Sequence, residues 1–199
     1  MKNPRYQAGS QSWQRNREYA EYTASSLKTQ RLQQFHFGRI EVRARVDTSL
    51  GSWPAIWTLG INGRWPLNGE VDMMEFYRVD NVPTILANAA WGQTSDGKPI
   101  WDTKRVPLSY FIAKDPAWPK KFHVWRMDWN KDSISLYLDD ELLNTTLLKE
   151  TLNPDGSNPF QQPQYLLLNL ALGSNGGDPA NTKFPIKYEV DYVRYYQKQ

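Results

Sequence analysis

Hydrophobic and polar residues alternate one by one through positions 37–46. Ile40, Val42, Ala44 and Val46 fall on one face, and Arg39, Glu41, Arg43 and Arg45 on the other. A period of two marks a strand with one buried side. The same reading places strands over 52–59, 70–77, 84–91, 122–129, 133–138, 141–146, 165–172 and 188–196. Asp139 and Asp140 read as a tight turn between two of them. Gly and Pro punctuate the gaps: Gly63, Pro66 and Gly69; Gly97 and Pro99; Pro154, Gly156 and Pro159; Gly173, Gly176, Gly177 and Pro179. No long segment holds a 3.6-residue period. The stretch 142–152 comes nearest, and its threonines and closing Asn153-Pro154 limit it to a short helix. The pattern predicts an all-β fold, an antiparallel sandwich or barrel, in one domain over residues 1–199. Residues 1–20 stand apart as a polar arm without apolar alternation, a long loop on the binding face or a partly ordered segment.

Composition narrows the partners. The 199 residues carry 24 basic and 21 acidic side chains, a net charge of +3. The basic residues of the first third are dispersed and interrupted by acids, so they read as solvated strand faces rather than a nucleic-acid site. No apolar run reaches the length of a membrane span. The first residues, Met1-Lys2-Asn3-Pro4-Arg5-Tyr6, lack the apolar core of a signal peptide. There is no Cys, which excludes disulfides, a thiol nucleophile and thiolate metal sites. Nine Trp and eleven Tyr exceed the needs of one core, so some rings are expected in a ligand groove.

The run Gly69-Glu70-Val71-Asp72-Met73-Met74-Glu75-Phe76 sets three carboxylates into an otherwise core-like strand. Buried acids are costly unless paired or used. On a flat strand Glu70 and Asp72 share a face and Glu75 points away. A β-bulge at Met73-Met74 returns Glu75 to their side. Three readings are open from the residues alone: a surface strand with an acidic face, a Ca²⁺ site, or a two-carboxylate hydrolase. Residues at i, i+2 and i+5 of a strand lack the looped backbone of a Ca²⁺ cage. For a hydrolase, Glu70 and Glu75 supply the nucleophile and proton donor, and the charge of Asp72 raises the pKa of a neighbour. Their Cα atoms lie roughly 13 Å apart along the strand, so convergence requires a sheet that curves towards the ligand. Trp53, Ala55 and Trp57 share one face of the preceding strand, Trp65 lies in the loop before Glu70, and Tyr77 continues the face of Glu75. Aromatic planes beside a carboxylate pair suit a sugar ring. His36 and His123 read as structural.

At these residues the chain resembles glycoside hydrolase family 16, the laminarinase and lichenase group, whose signature E-[IV]-D-[IM]-M-E is met by Glu70-Val71-Asp72-Met73-Met74-Glu75. The likeness extends to Tyr22–Leu27 with Phe37–Ala44, to Gly51-Ser52-Trp53-Pro54-Ala55-Ile56-Trp57, and to stretches 122–129, 165–170 and 190–196. It implies a β-jelly roll of two curved sheets with a glycan cleft. It also implies Glu70 as nucleophile, Glu75 as acid/base and Asp72 as their electrostatic support. Trp53, Trp57, Trp65, Tyr77, Asn88, Trp91 and Asn169 are the expected substrate contacts, although alternation sets Asn88 and Trp91 on opposite faces. The implied activity is retaining endo-hydrolysis of β-1,3- or mixed β-1,3/1,4-glucan. Within the same chemistry the alternatives are a galactan hydrolase of the agarase or porphyranase kind, or a transglycosylase. The rival of another class is a glycan-binding module without activity. The partner is a polysaccharide, the location secreted, periplasmic or cell-surface, and no cofactor is required. Asp191 matches a position that helps hold a structural Ca²⁺ in many members. The family's first strands, upstream of Tyr22, have no counterpart here. An unpaired edge is therefore expected beside 188–196, with a monomer or an edge-mediated dimer as the outcome.

Overall fold

A computed structural model describes residues 1–12 and 15–197; positions 13 and 14 of the polar arm lie outside the described residues. In chain order the elements are β1 (Ser25–Lys28), β2 (Gly38–Arg45), β3 (Ser52–Gly60), β4 (Glu70–Val79), β5 (Val82–Trp91), β6 (Ile100–Pro107), α1 (Leu108–Lys114), β7 (His123–Trp129), β8 (Ser133–Leu138), β9 (Glu141–Leu147), β10 (Gln164–Leu172) and β11 (Glu189–Tyr196). They form two antiparallel sheets, one of order β1-β10-β3-β4-β5-β6 and one of order β11-β2-β7-β8-β9. The architecture is the expected jelly-roll sandwich.

The alternating strands turn their apolar sides to each other. Ile40 and Val42 of β2, Trp125 and Met127 of β7 and Leu136 of β8 meet Val71, Met73, Met74 and Phe76 of β4 and Ile85 of β5 in one core, each at most 1% exposed. The turn between β8 and β9 has Asp139 and Asp140 both at positive φ, 47° and 68°. Asp80 and Asn81 adopt the same pair of conformations between β4 and β5. Short Asp and Asn side chains tolerate this backbone, and its twist matches that of paired strands.

Three elements differ from the periodicity. β1 is fully exposed and shows no alternation. β6 is an edge strand whose outer face is exposed and whose inner face, with Ile100, Asp102 and Val106, is only half-buried, so its sequence Ile-Trp-Asp-Thr-Lys-Arg-Val-Pro carries a weak period of two. The seven-residue α1 is anchored by Leu108 and Phe111. The stretch 142–152 is mostly β9, followed by a 3₁₀ turn at Leu148–Glu150. The polar arm folds back on itself, with Asn3 N–H donating to the Glu18 carbonyl (2.7 Å) and Ala20 N–H to that of Met1 (2.8 Å). β11 pairs with β2 alone and forms a sheet edge, where Val190 and Val193 are each 39% exposed.

Candidate active site

The strand β4 runs through the middle of the six-stranded sheet, between β3 and β5. Gly69 starts it. Its φ of +74° is left-handed, and a Cβ there would lie 2.9 Å from Pro159 Cβ, so glycine is required for the entry. Asp72 then pairs with Asn88 and Glu75 with Leu86, leaving two β4 residues opposite the single Ala87. On the other side Asp72 pairs with Trp57 and Met74 with Ile56, so Met73 is the extra residue. This is the β-bulge, and both methionines are completely buried. Glu70, Asp72, Glu75 and Tyr77 consequently share the sheet face turned away from the core.

Paired residues of neighbouring strands share a face, which gives three rows across this side. One runs Tyr165, Leu59, Glu70, Ala90, Trp101. The next is Leu167, Trp57, Asp72, Asn88, Thr103. The third is Asn169, Ala55, Glu75, Leu86, Arg105. Small and apolar side chains make the floor and the acids stand along its centre.

Each outer glutamate receives one indole N–H. Trp65 Nε1 donates to Glu70 Oε2 at 2.6 Å, and Trp53 Nε1 donates to Glu75 Oε1 at 3.0 Å. Asn88 Nδ2 donates to Asp72 Oδ2 at 3.0 Å and to Glu75 Oε2 at 3.2 Å. Trp57 Nε1 donates to Asn169 Oδ1 at 2.5 Å. The Trp53 and Tyr77 rings meet edge-on at 5.8 Å.

Desolvation is the main force on all three acids. It pushes Glu75 up to about 7; the Trp53 hydrogen bond opposes this, and the charge of Glu70 adds to it. Glu70 is raised by burial, against hydrogen bonds from Trp65 and Asp72. Asp72 is raised well above the usual carboxylate range, by burial and then by the charges of Glu75 and Glu70. The hydrogen bonds of Asp72 lower both glutamates, and the Asn88 amide lowers Asp72 in turn.

Trp91 does not belong to this face. It is 8% exposed, in the core, with its ring 6.4 Å from that of Phe160. Strict alternation along β5 sends Asn88 outward and Trp91 inward. Asn88 is itself 3% exposed, and its amide holds the acids. β6 brings Trp101, which is 43% exposed, Thr103 and Arg105 to the face, none of them expected. His123 lies in the other sheet, between Asp139 and the Trp118 carbonyl, as a structural residue. A cavity of about 1100 Å³ lies at the end of that second sheet, lined by residues such as Phe37, Arg39, Asp128 and Tyr196. None of the three acids lines it.

Asp191 does not fit a calcium cage. It sits at a register shift in β11, and Arg43 Nη1 lies 2.5 Å from its Oδ2. Among the described residues no group of three or more His, Cys, Asp or Glu is placed to hold a metal ion.

A jelly roll with aromatic rings around acids on an open sheet face defines a carbohydrate-active protein. The sequence profile of glycosyl hydrolases family 16 matches residues 4–194, and the chain belongs to that family. It is 30% identical over 198 residues to glucan endo-1,3-beta-glucosidase A1 of Niallia circulans, covering 91% of this chain and 27% of that protein. It is 34% identical over 176 residues to the beta-1,3-glucan-binding protein of Penaeus monodon, covering 78% and 48%. The chain thus spans less than half the length of either relative. A solved structure from work on endo-acting O-glycanases, with which members of the human gut microbiota initiate mucin breakdown, superposes with a TM-score of 0.84. It is 34% identical and covers 99% of this chain and 70% of that one. A non-specific endo-β-1,3(4)-glucanase holding 1,3-β-D-cellobiosyl-glucose at its active site superposes with a TM-score of 0.71. It is 34% identical, with 87% and 65% covered.

Proposed function

We propose that the protein is a retaining endo-glycoside hydrolase that cleaves β-1,3- or mixed β-1,3/1,4-glucan, with Glu70 as nucleophile and Glu75 as general acid/base. The observation that carries this reading is the bulge at Met73, which sets both glutamates and Asp72 on one outward face. A retaining reaction needs one ionised carboxylate and one protonated carboxyl beside the same glycosidic bond. Glu75, pushed up to about 7, holds its proton near neutrality and is the donor. Glu70, with the Trp65 N–H supporting its anion, attacks the anomeric carbon. The C–O bond to the leaving sugar breaks as Glu75 protonates its oxygen, and a glycosyl ester forms on Glu70. Water, deprotonated by Glu75, then releases the sugar. Asp72 and Asn88 hold the pair, and Trp53, Trp57, Trp65, Tyr77 and Asn169 frame the bound chain. A polymer of this kind does not cross a membrane, so the working place is secreted, periplasmic or cell-surface.

A second reading is cleavage within a mucin-type O-glycan chain. The superposition over 99% of the chain on a structure from that work favours it. The likeness to a glucan-binding protein supports a third, binding without cleavage; the paired glutamates speak against it, since binding needs no proton donor. A panel of laminarin, lichenan, agarose and mucin glycans with product sizing separates these readings, and transglycosylation appears there as products longer than the substrate. Glu70→Ala and Glu75→Gln are each expected to lower kcat at least about a thousandfold with the circular dichroism spectrum unchanged. Substantial hydrolysis by both variants refutes the assignment.

A further inference from the structure

The edge strand β6 adds a cation to the acidic face. Arg105 pairs with Leu86, which pairs with Glu75, so its side chain stands on the same side as the acids, two strands away. Two strand spacings are roughly 10 Å, within reach of a ligand lying over Glu75. The cations at comparable places are engaged. Arg39, Arg43, Arg45 and Arg126 of the second sheet each hold a carboxylate, and Arg78 of β4 holds the carbonyls of Gly176 and Thr48. Arg105 is exposed, and among the described residues it has no ion pair and no hydrogen bond.

The charge of Arg105 acts on the Tyr77 hydroxyl, which it lowers against burial. Guanidinium presents a planar fork of donors that matches two oxygens of an anionic group. Trp101, four residues earlier on the same face and half-exposed, offers a ring for another sugar of the same chain.

We propose that Arg105 is an anion-recognition residue of the cleft, contacting a sulfate ester or carboxylate on the glycan that lies over Glu70 and Glu75. The proposal rests on the cleft being a glycan site, as the hydrolase reading has it, and it adds the chemical class of the substituent. Binding is measured by affinity electrophoresis at about 0.15 M salt, where charges beyond roughly 8 Å are screened. The ligands are laminarin, laminarin sulfate, carboxymethyl-laminarin, and keratan sulfate before and after desulfation. The protein is expected to bind at least one charged form about tenfold or more tighter than its neutral parent. Arg105→Met should remove most of that preference, Arg105→Lys less of it, and Lys149→Met, an exposed lysine outside the cleft, none. Preference for sulfate forms alone identifies the ester, and for the carboxymethyl form alone the carboxylate. Equal binding of charged and neutral chains, or full preference retained in Arg105→Met, overturns the proposal. A charge preference without cleavage of any glycan leaves it standing and refutes the hydrolase reading alone.

Discussion

Glu75 is the residue on which the chemistry turns, and its proton is set by two opposed causes. Burial raises its pKa to about 7, while the N–H of Trp53 favours the anion and limits the rise. The rate should therefore fall above pH 7 as the donor ionises, and fall again at low pH as Glu70 takes up a proton. Trp53→Phe keeps a ring and removes the N–H. It should move the alkaline limb of kcat/KM to higher pH; a limb that stays or moves down contradicts this assignment of causes. Asn88 tests the support of the acids in another way. Its amide bridges Asp72 and Glu75 and favours the ionised form of Asp72. Asn88→Ala should cost roughly tenfold in kcat, with a smaller change in KM, because it disturbs the acids and not the chain that lies on them. A rise in KM alone would make Asn88 a substrate contact instead.

At the scale of elements, β4 decides what faces out. Its bulge was legible because the acid spacing makes no sense without it, and the two methionines that absorb the extra residue are the apolar pair between the acids. The strands with a clean period of two were legible for the same reason, since their buried faces impose it. β6 was not, because an edge strand with a half-buried inner face and Asp102 and Lys104 on it imposes only a weak pattern, and with it Trp101 and Arg105 went unseen. Trp91 shows the opposite limit: the family resemblance implied it as a contact, and the alternation of β5, already visible in the sequence, sends it inward. Two alanine variants separate these cases. Trp91→Ala should cost about 3–5 kcal/mol of stability, read by denaturant melting. Trp65→Ala, at a half-exposed ring on Glu70, should stay within about 0.5 kcal/mol and lower kcat/KM. The reverse order would return Trp91 to the cleft.

For the whole molecule, the site is a burden on the fold. All three acids have pKa values raised by burial. The native state thus binds protons more tightly than the unfolded chain. Stability is full below the unfolded pKa near 4.5 and declines as pH rises through about 7 for Glu75. From that shift Glu75 alone costs on the order of 3 kcal/mol above pH 7. Glu75→Gln should accordingly raise the denaturation midpoint at pH 8 and leave it nearly unchanged at pH 4; stabilisation at pH 4 alone would contradict the sign. The fold accepts this cost because the sheet that carries the acids is backed by a closed core of methionine, phenylalanine and tryptophan. Double displacement through Glu70 and Glu75 is the reaction that this acidic face is proposed to perform. Early-time NMR of laminarin digestion tests it most directly. The account predicts that the first reducing ends appear as the β-anomer and then mutarotate, and first products in the α-anomer would contradict it.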